Sequence, residues 1–118
     1  MVRMFKPQFA PLVESGEKRQ TVRPKPKRMP KVGEALSLRT WTGLPYRSKQ
    51  RVLREAVVAE VREVRIDVDG VTLYDGEAGY APNHFTFAQA DGFPTWADMR
   101  DWFQSQHGLP FRGVLIKW

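Results

Sequence analysis

A short stretch with three prolines, residues 15–31, limits what this chain can fold into. Proline has a fixed backbone φ angle and no amide hydrogen, and it disfavours helix at the residue before it, so a helix through this segment is excluded. The prolines are Pro24, Pro26 and Pro30. A turn is expected at Gly16, ahead of the prolines. A short strand that carries Lys18, Thr21 and Arg23 should follow the turn, because Thr and Val favour β structure, and a stiff basic arm should follow the strand.

The same stretch holds seven Lys and Arg side chains within fourteen positions, opposed by Glu17 alone. Cations this close repel one another, so they need an anionic partner, and the most abundant candidates are a nucleic-acid backbone and a nucleotide phosphate. We therefore predict that this segment and one later arginine bind phosphate. The predicted phosphate-binding residues are Arg19, Arg23, Lys25, Lys27, Arg28, Lys31 and Arg39.

Charge is divided unevenly along the chain. Residues 1–54 contain 14 Lys and Arg against 3 Asp and Glu, whereas residues 55–118 contain 5 against 10. This asymmetry predicts one basic face, which is typical of a protein that binds nucleic acid. The alternative is a solvated surface whose uneven charge serves only solubility.

The composition excludes several kinds of site. The chain has no cysteine, which rules out disulfides, catalytic thiolates and thiolate zinc sites. Its two histidines, His84 and His107, lie far apart, so we expect no metal and no other cofactor. His107 is interpreted as a residue that complements a helix end, and no role is predicted for His84.

Length and hydropathy set the expected location and organisation. No apolar run approaches the roughly 20 residues that cross a bilayer, and residues 1–9 lack the apolar core of a secretory signal. We therefore expect a soluble, cytoplasmic protein without a membrane partner. Residues 1–118 are enough for a single domain with its own core, and a monomer is favoured.

Hydrophobic patterning predicts an α+β order of elements. Strands are expected at residues 2–5, 35–40, 71–74 and 111–118, loops at 41–48 and 75–82, and helices before Gly16, after Asn83 and between Thr95 and Gly108. Residues 51–67 fit both a helical stripe and a strand with one phase slip, but their β-branched composition favours a bulged strand that leads into a hairpin. The order suggests a small mixed β-barrel with flanking short helices, in which the first and last strands are neighbours.

Two motifs resemble a known family. The first reads Ser15-Gly16-x-Lys18-x-x-Thr21-x-Arg23 and then Lys31-x-Gly33-Glu34. It resembles the signature region of the ASCH family, a branch of the PUA-like β-barrel fold. The second reads Ala90-Asp91-Gly92-Phe93 ahead of a helix, and it is similar to the second half of that family. The resemblance covers most of the chain apart from residues 41–52, and it implies a barrel with a cleft beside the Lys-x-x-Thr-x-Arg segment.

The resemblance also implies activity toward RNA or nucleosides. ASCH members are associated with RNA binding, some hydrolyse the acyl amide of N4-acylated cytidine nucleosides, and ribonuclease activity is described for others. In the amidohydrolase members the catalytic residues are a Lys and a Thr of the first motif and a downstream acid. By position these correspond to Lys18, Thr21 and Asp91, although those members have Glu where this chain has the shorter Asp.

Three functions follow as hypotheses. The leading one is a domain that binds RNA or a nucleotide and recognises a pyrimidine base, modified or unmodified, in a basic cleft. The first alternative is a metal-independent amidohydrolase that converts N4-acetylcytidine or a related N4-acylcytidine to cytidine. The second alternative is a single-strand ribonuclease, which ranks lowest because no pair of histidines supports it.

Amide hydrolysis requires a base, a nucleophile and a proton donor, and the two motifs offer a candidate for each. Lys18 can act as a base only when deprotonated, and repulsion from its cationic neighbours favours that state. Thr21 would be the nucleophile or would orient a water, and Asp91 would protonate the leaving nitrogen. Lys18 and Thr21 face opposite ways on a straight strand, so the hypothesis requires a bend between them. The alternatives are a solvated Lys18, a Thr21 that only fills a strand, and an Asp91 that only forms a turn.

Aromatic residues fall into two groups. Trp41 and Tyr46 lie near two arginines in a loop rich in Gly and Pro, and they are predicted to stack on a base, with burial in the core as an equal alternative. Trp96, Met99, Trp102 and Phe103 form one apolar stripe at helical spacing, and its three aromatic residues are interpreted as core.

Overall fold

The computed structural model describes all 118 residues, which form eight strands and three helices. The strands are β1 (Val2–Met4), β2 (Gln20–Arg23), β3 (Ala35–Trp41), β4 (Gln50–Val57), β5 (Glu60–Asp67), β6 (Gly70–Asp75), β7 (Ala78–Tyr80) and β8 (Phe111–Lys117). The helices are α1 (Ala10–Ser15), α2 (His84–Ala90) and α3 (Trp96–Gln106). This content confirms the expected α+β class.

The strands form two sheets rather than a closed barrel. The first sheet has the order β1-β3-β4, with β1 parallel to β3, and the second has the order β2-β8-β5-β6-β7. The prediction that the first and last strands are neighbours is wrong, since β8 pairs with β2 and β5 whereas β1 pairs with β3. The pattern of apolar residues predicts which face of a strand is buried, but it does not predict which distant strand pairs with it.

The segment predicted as one bulged strand, residues 51–67, is two strands in different sheets. β4 ends at Val57 in the first sheet, and β5 begins at Glu60 in the second. The buried Val58 between them donates its backbone N–H to Glu34 O (2.9 Å), and Ala59 N–H then donates to Lys117 O (2.8 Å). The phase slip in the apolar pattern, between Val61 and Val64, lies inside β5, so the pattern did not mark this change of sheet.

The residues that were predicted to begin and end the helices do so in the structure. The Asn83 side chain accepts a hydrogen bond from Thr86 N at the start of α2, and the Thr95 side chain accepts one from Asp98 N at the start of α3. Gly16 ends α1 with a left-handed φ of 87°, a conformation that favours glycine. The loop predicted at residues 75–82 contains the short β7, which pairs with β6.

One apolar core of 22 buried residues is shared by both sheets and the helices. Its most deeply buried large side chains are Leu36, Leu38, Ile66, Met99, Phe103, Leu115 and Ile116. The stripe predicted on α3 therefore packs as expected at two of its positions, whereas the two tryptophans of that stripe are only partly buried. None of the helices is both long and apolar enough to span a membrane.

Candidate functional site

The turn after α1 determines where Lys18 points. Lys18 N–H donates to Leu12 O (3.0 Å) and Arg19 N–H donates to Ala90 O (2.8 Å), so both residues lie before β2, which begins at Gln20. The predicted strand is therefore shorter than expected and does not include Lys18. This change of direction supplies the bend that the sequence hypothesis required, and it lets Lys18 and Thr21 line the same pocket.

The α2–α3 connection brings Asp91 to the same place. Asp91 follows the last residue of α2, and Gly92 has a left-handed φ of 95°. A Cβ at Gly92 would lie 3.1 Å from Lys18 Cδ and 3.3 Å from a ring carbon of Phe9. Glycine therefore allows this turn to approach the lysine closely, and few other residues would fit.

The pocket has a volume of about 230 Å³ and lies where β1, β2 and the helices meet. Its walls combine aromatic rings with polar and charged side chains. The aromatic residues are Phe5, Phe9, Phe93, Trp102, Phe103 and His107. The main polar residues are Lys18, Thr21, Arg23 and Asp91.

Lys18 and Asp91 form a buried pair at the pocket. Their side chains are each about 4% exposed, and Lys18 Nζ lies 3.7 Å from Asp91 Oδ2. Lys18 Nζ also donates to the backbone carbonyl of Asp91 and lies 4.9 Å from the centre of the Phe9 ring. The other carboxylate oxygen, Asp91 Oδ1, is buried and has no partner at hydrogen-bond distance; the nearby Gln20 side chain, which lowers the pKa of Asp91, donates to Phe87 O instead.

Burial displaces the pKa values of this pair toward their neutral forms. Burial lowers the pKa of Lys18, with a further lowering from the charge of Arg23 and an opposing effect from Asp91. Burial likewise raises the pKa of Asp91 to about 6, against the opposing charge of Lys18. The sequence predicts a lowered pKa of Lys18 through repulsion by several cationic neighbours. In the structure, desolvation is the larger cause, and Arg23 is the cationic neighbour that contributes.

Arg23 holds the hydroxyl group of Thr21. Its Nε donates to Thr21 Oγ1 (2.9 Å), and its Nη2 donates to Met4 O (2.7 Å) across the gap between the two sheets. Burial and the charge of Arg3 lower the pKa of Arg23 to about 10, so it remains a cation at neutral pH. Since Thr21 Oγ1 accepts from a cation, its own O–H remains available as a donor, and negative charge on the oxygen would be stabilised.

The displaced pKa of Asp91 leads to a prediction about stability. A carboxyl whose pKa rises from 3.8 in the unfolded chain to about 6 contributes stability that is complete below pH 3.8 and is lost as the pH rises through 6. Relative to Asp91→Asn, the wild type should therefore lose up to roughly 3 kcal/mol of unfolding free energy between about pH 4 and pH 7. Urea unfolding of both proteins across this range measures the difference. Parallel curves would show that Asp91 has an ordinary pKa.

The other predicted phosphate-binding residues lie outside the pocket. Arg19 lines a separate groove with Glu17, and Lys25 lines another with Arg112. Arg28 forms an ion pair with Glu34. Lys27 and Lys31 are exposed on the arm. Arg39 donates to Ser37 Oγ (2.8 Å) and to Gln50 Oε1 (3.0 Å). The predicted stacking residues, Trp41 and Tyr46, contact each other at the end of β3 and are likewise absent from the pocket wall.

The sequence missed several residues that line the pocket. His107 was interpreted only as a helix-end residue, and Trp102 only as core. Both line the pocket together with Gln106, and burial and the charge of Lys6 lower the pKa of His107. A usable signal was present, since positions 102 and 106 are one helical turn apart and so share a face of α3.

Comparison with known proteins found no match: no family model, no curated protein and no solved structure is similar to this chain. No cluster of three or more His, Asp or Glu residues is placed to hold a metal ion.

Proposed function

We propose that the pocket binds a pyrimidine base that carries an amino or acylamino group, in a nucleoside or within RNA. The observation that carries the proposal is Asp91 Oδ1, a buried carboxylate oxygen that lacks a donor. Such a group costs about 1–3 kcal/mol when it stays unpaired. The exocyclic N–H of a cytosine-type base would supply the missing hydrogen bond.

The shape and lining of the pocket support the same ligand. A volume of about 230 Å³ is below the roughly 300–1,000 Å³ of pockets for drug-sized ligands, so one base with a small substituent suits it. The rings of Phe5, Phe9 and Trp102 contribute apolar wall against which a flat base can pack. The resemblance of residues 15–34 to the ASCH signature also supports a nucleoside or RNA ligand. Membership of the PUA-like fold is part of the proposal.

Base discrimination tests the proposal directly. Cytidine should bind at least about tenfold more tightly than uridine, because the O4 atom of uridine would place an acceptor against Asp91 Oδ1. Titration calorimetry at neutral pH measures both affinities. In the matched variant Asp91→Asn the amide offers a donor as well as an acceptor, so the preference should largely disappear. Equal binding of uridine and cytidine by the wild type would overturn the proposal.

A second candidate, hydrolysis of N4-acylcytidine, is favoured by the displaced pKa values of Lys18 and Asp91. These shifts make a neutral amine and a protonated carboxylic acid accessible within one pocket. An amine that accepts a proton and an acid that donates one are the two groups that amide hydrolysis requires.

In this second candidate the proton transfers balance within the site. Neutral Lys18 takes the proton of the Thr21 hydroxyl, or of a water that Thr21 orients, and that oxygen bonds to the acyl carbon. The C=O electrons move onto the acyl oxygen, and the cationic Arg23 beside Thr21 stabilises the negative charge. Protonated Asp91 gives its proton to N4 as the C–N bond breaks, which releases cytidine. Attack by water yields the carboxylic acid directly, whereas attack by Thr21 yields an acyl-Thr21 ester that one water then hydrolyses.

A further inference from the structure

A pair of aromatic rings lies outside the pocket, where β3 ends. Trp41 is the last residue of β3, and Tyr46 lies in the loop that follows, with ring centres 5.1 Å apart. Tyr46 is 90% exposed, so the ring face turned away from Trp41 is open to solvent. An exposed ring supported by a second ring is well suited to stack on a further flat group.

The loop holds Tyr46 in a fixed and unusual conformation. Its φ of 62° lies in the left-handed region, which is unfavourable for a residue with a side chain. Two hydrogen bonds from Thr42 to Lys49 O, each 2.9 Å, close the loop, and Ser48 Oγ bonds to Gly43 N and Leu44 O inside it. The ring is therefore presented by a closed, hydrogen-bonded loop.

The surroundings of the ring pair are cationic. Residues 39–54 contain five Lys and Arg and no Asp or Glu. Arg51 pairs with Glu14, and Arg54 donates to backbone carbonyls of α1. The side chains of Arg47 and Lys49, which flank the rings in sequence, are exposed and make no ion pair. Positive charge beside an exposed aromatic face complements a single-stranded nucleic acid, which offers phosphates and unpaired bases together.

The ring pair and the pocket lie on adjoining parts of the first sheet. Met4, which lines the pocket, is the register partner of Arg39 on β3. Trp41 lies two residues beyond Arg39 and on the same face, which places its Cα roughly 8 Å from that of Met4 by strand geometry. The Met4 edge of the pocket and the ring pair are therefore close enough for one single strand to reach both.

We infer that Trp41 and Tyr46 stack on a base of a single-stranded nucleic acid and that Arg47 and Lys49 contact its phosphates. The ligand is then a polynucleotide rather than a free nucleoside. The part of this inference that places one base in the pocket rests on the proposed function, whereas the stacking surface at Trp41 and Tyr46 can be tested without it.

Fluorescence anisotropy with a labelled cytidine oligonucleotide of about 12 nucleotides tests this inference. Tyr46→Ala should weaken binding at low salt by about tenfold or more, because one base loses its stacking partner. Tyr46→Phe keeps the ring and should bind within about twofold of the wild type. Both substitutions share the strained φ, so they differ only in the ring. Phe85→Ala, which removes a different exposed ring, on α2, should have no effect.

The salt dependence tests the phosphate contacts separately. Replacing Arg47 and Lys49 by Gln should reduce the slope of log affinity against log salt by roughly 0.7 for each phosphate contact that is lost. An unchanged slope would overturn their role. Equal binding of a duplex of the same length would overturn stacking, because its bases are already paired.

The outcomes distinguish this inference from the proposed function. If Tyr46→Ala binds the oligonucleotide as tightly as the wild type while cytidine still binds the pocket, the stacking surface is wrong and the pocket proposal stands. If the wild type binds the oligonucleotide through Tyr46 but shows no preference for cytidine over uridine, the pocket proposal fails and the stacking surface stands. Failure of the wild type to bind the oligonucleotide at low salt overturns the inference.

Discussion

Lys18→Met is expected to lower the rate of N4-acetylcytidine hydrolysis by about a hundredfold to ten-thousandfold, the usual contribution of a positioned acid or base. Methionine fills nearly the same space but cannot accept a proton. Its apolar side chain suits a site where Lys18 is buried against Phe9, so the protein should remain folded. The ultraviolet change from N4-acetylcytidine to cytidine measures the rate, and far-ultraviolet circular dichroism checks the fold.

Two further variants provide a control and a second test of the catalytic assignment. Lys117→Met makes the same chemical change on β8 outside the pocket wall and should leave the rate unchanged. Thr21→Val removes the hydroxyl with little change of shape and should also lower the rate. If the wild type shows no turnover, or if Lys18→Met hydrolyses as fast as the wild type, the catalytic assignment is wrong. In that case, the pocket would bind a cytosine-type base without hydrolysing a substrate.

Gly113→Ala is expected to destabilise the protein by about 3 kcal/mol, at the upper end of the usual range for overpacking. A Cβ at this position would lie 2.3 Å from the backbone oxygen of Arg23 and 2.8 Å from the ring of Phe111. Backbone cannot rotate away as a side chain can, so β2 and β8 would have to separate where Arg23 pairs with Val114. Urea unfolding measures the loss.

The same substitution should also disturb the pocket, since Arg23 holds Thr21. Cytidine affinity should therefore fall in Gly113→Ala even under conditions where the variant is folded. Gly43→Ala is the matched control, because its Cβ would meet Ser48 Cβ at 3.4 Å, an ordinary contact, and its unfolding free energy should change by less than about 1 kcal/mol. A Gly113→Ala protein as stable as this control would contradict the close β2–β8 approach.

Local chemistry explains why parts of the fold were predictable. Asn83, Thr95 and Gly16 act through hydrogen bonds and backbone angles within a few residues, and such short-range effects can be recognised from spacing alone. The break between β4 and β5 was not predictable from the apolar pattern, because the phase slip lies inside β5. The break depends on Glu34 and Lys117, which bind the chain there from distant positions.

The candidate site, like the fold, was predictable from the sequence only in part. Lys18, Thr21 and Asp91 were named from two short motifs, and the structure places all three on one pocket. Their environment was not predictable, because burial of Lys18 depends on Phe5 and Phe9 from the start of the chain and on the turn at Gly92. Helical spacing placed Trp102 and Gln106 on one face of α3, but it could not show that this face borders the pocket.

The amino-acid sequence by itself determined the α+β class, the positions of most elements, the basic first half and the identity of the polar residues now found at the pocket. These properties depend on backbone preferences and charge, which act over short distances along the chain. Only the tertiary structure decided that the strands form two sheets, that Lys18 and Asp91 are buried together, and that most of the cationic arm lies outside the pocket. Desolvation and strand pairing arise between residues far apart in sequence, so they exist only once the chain has folded.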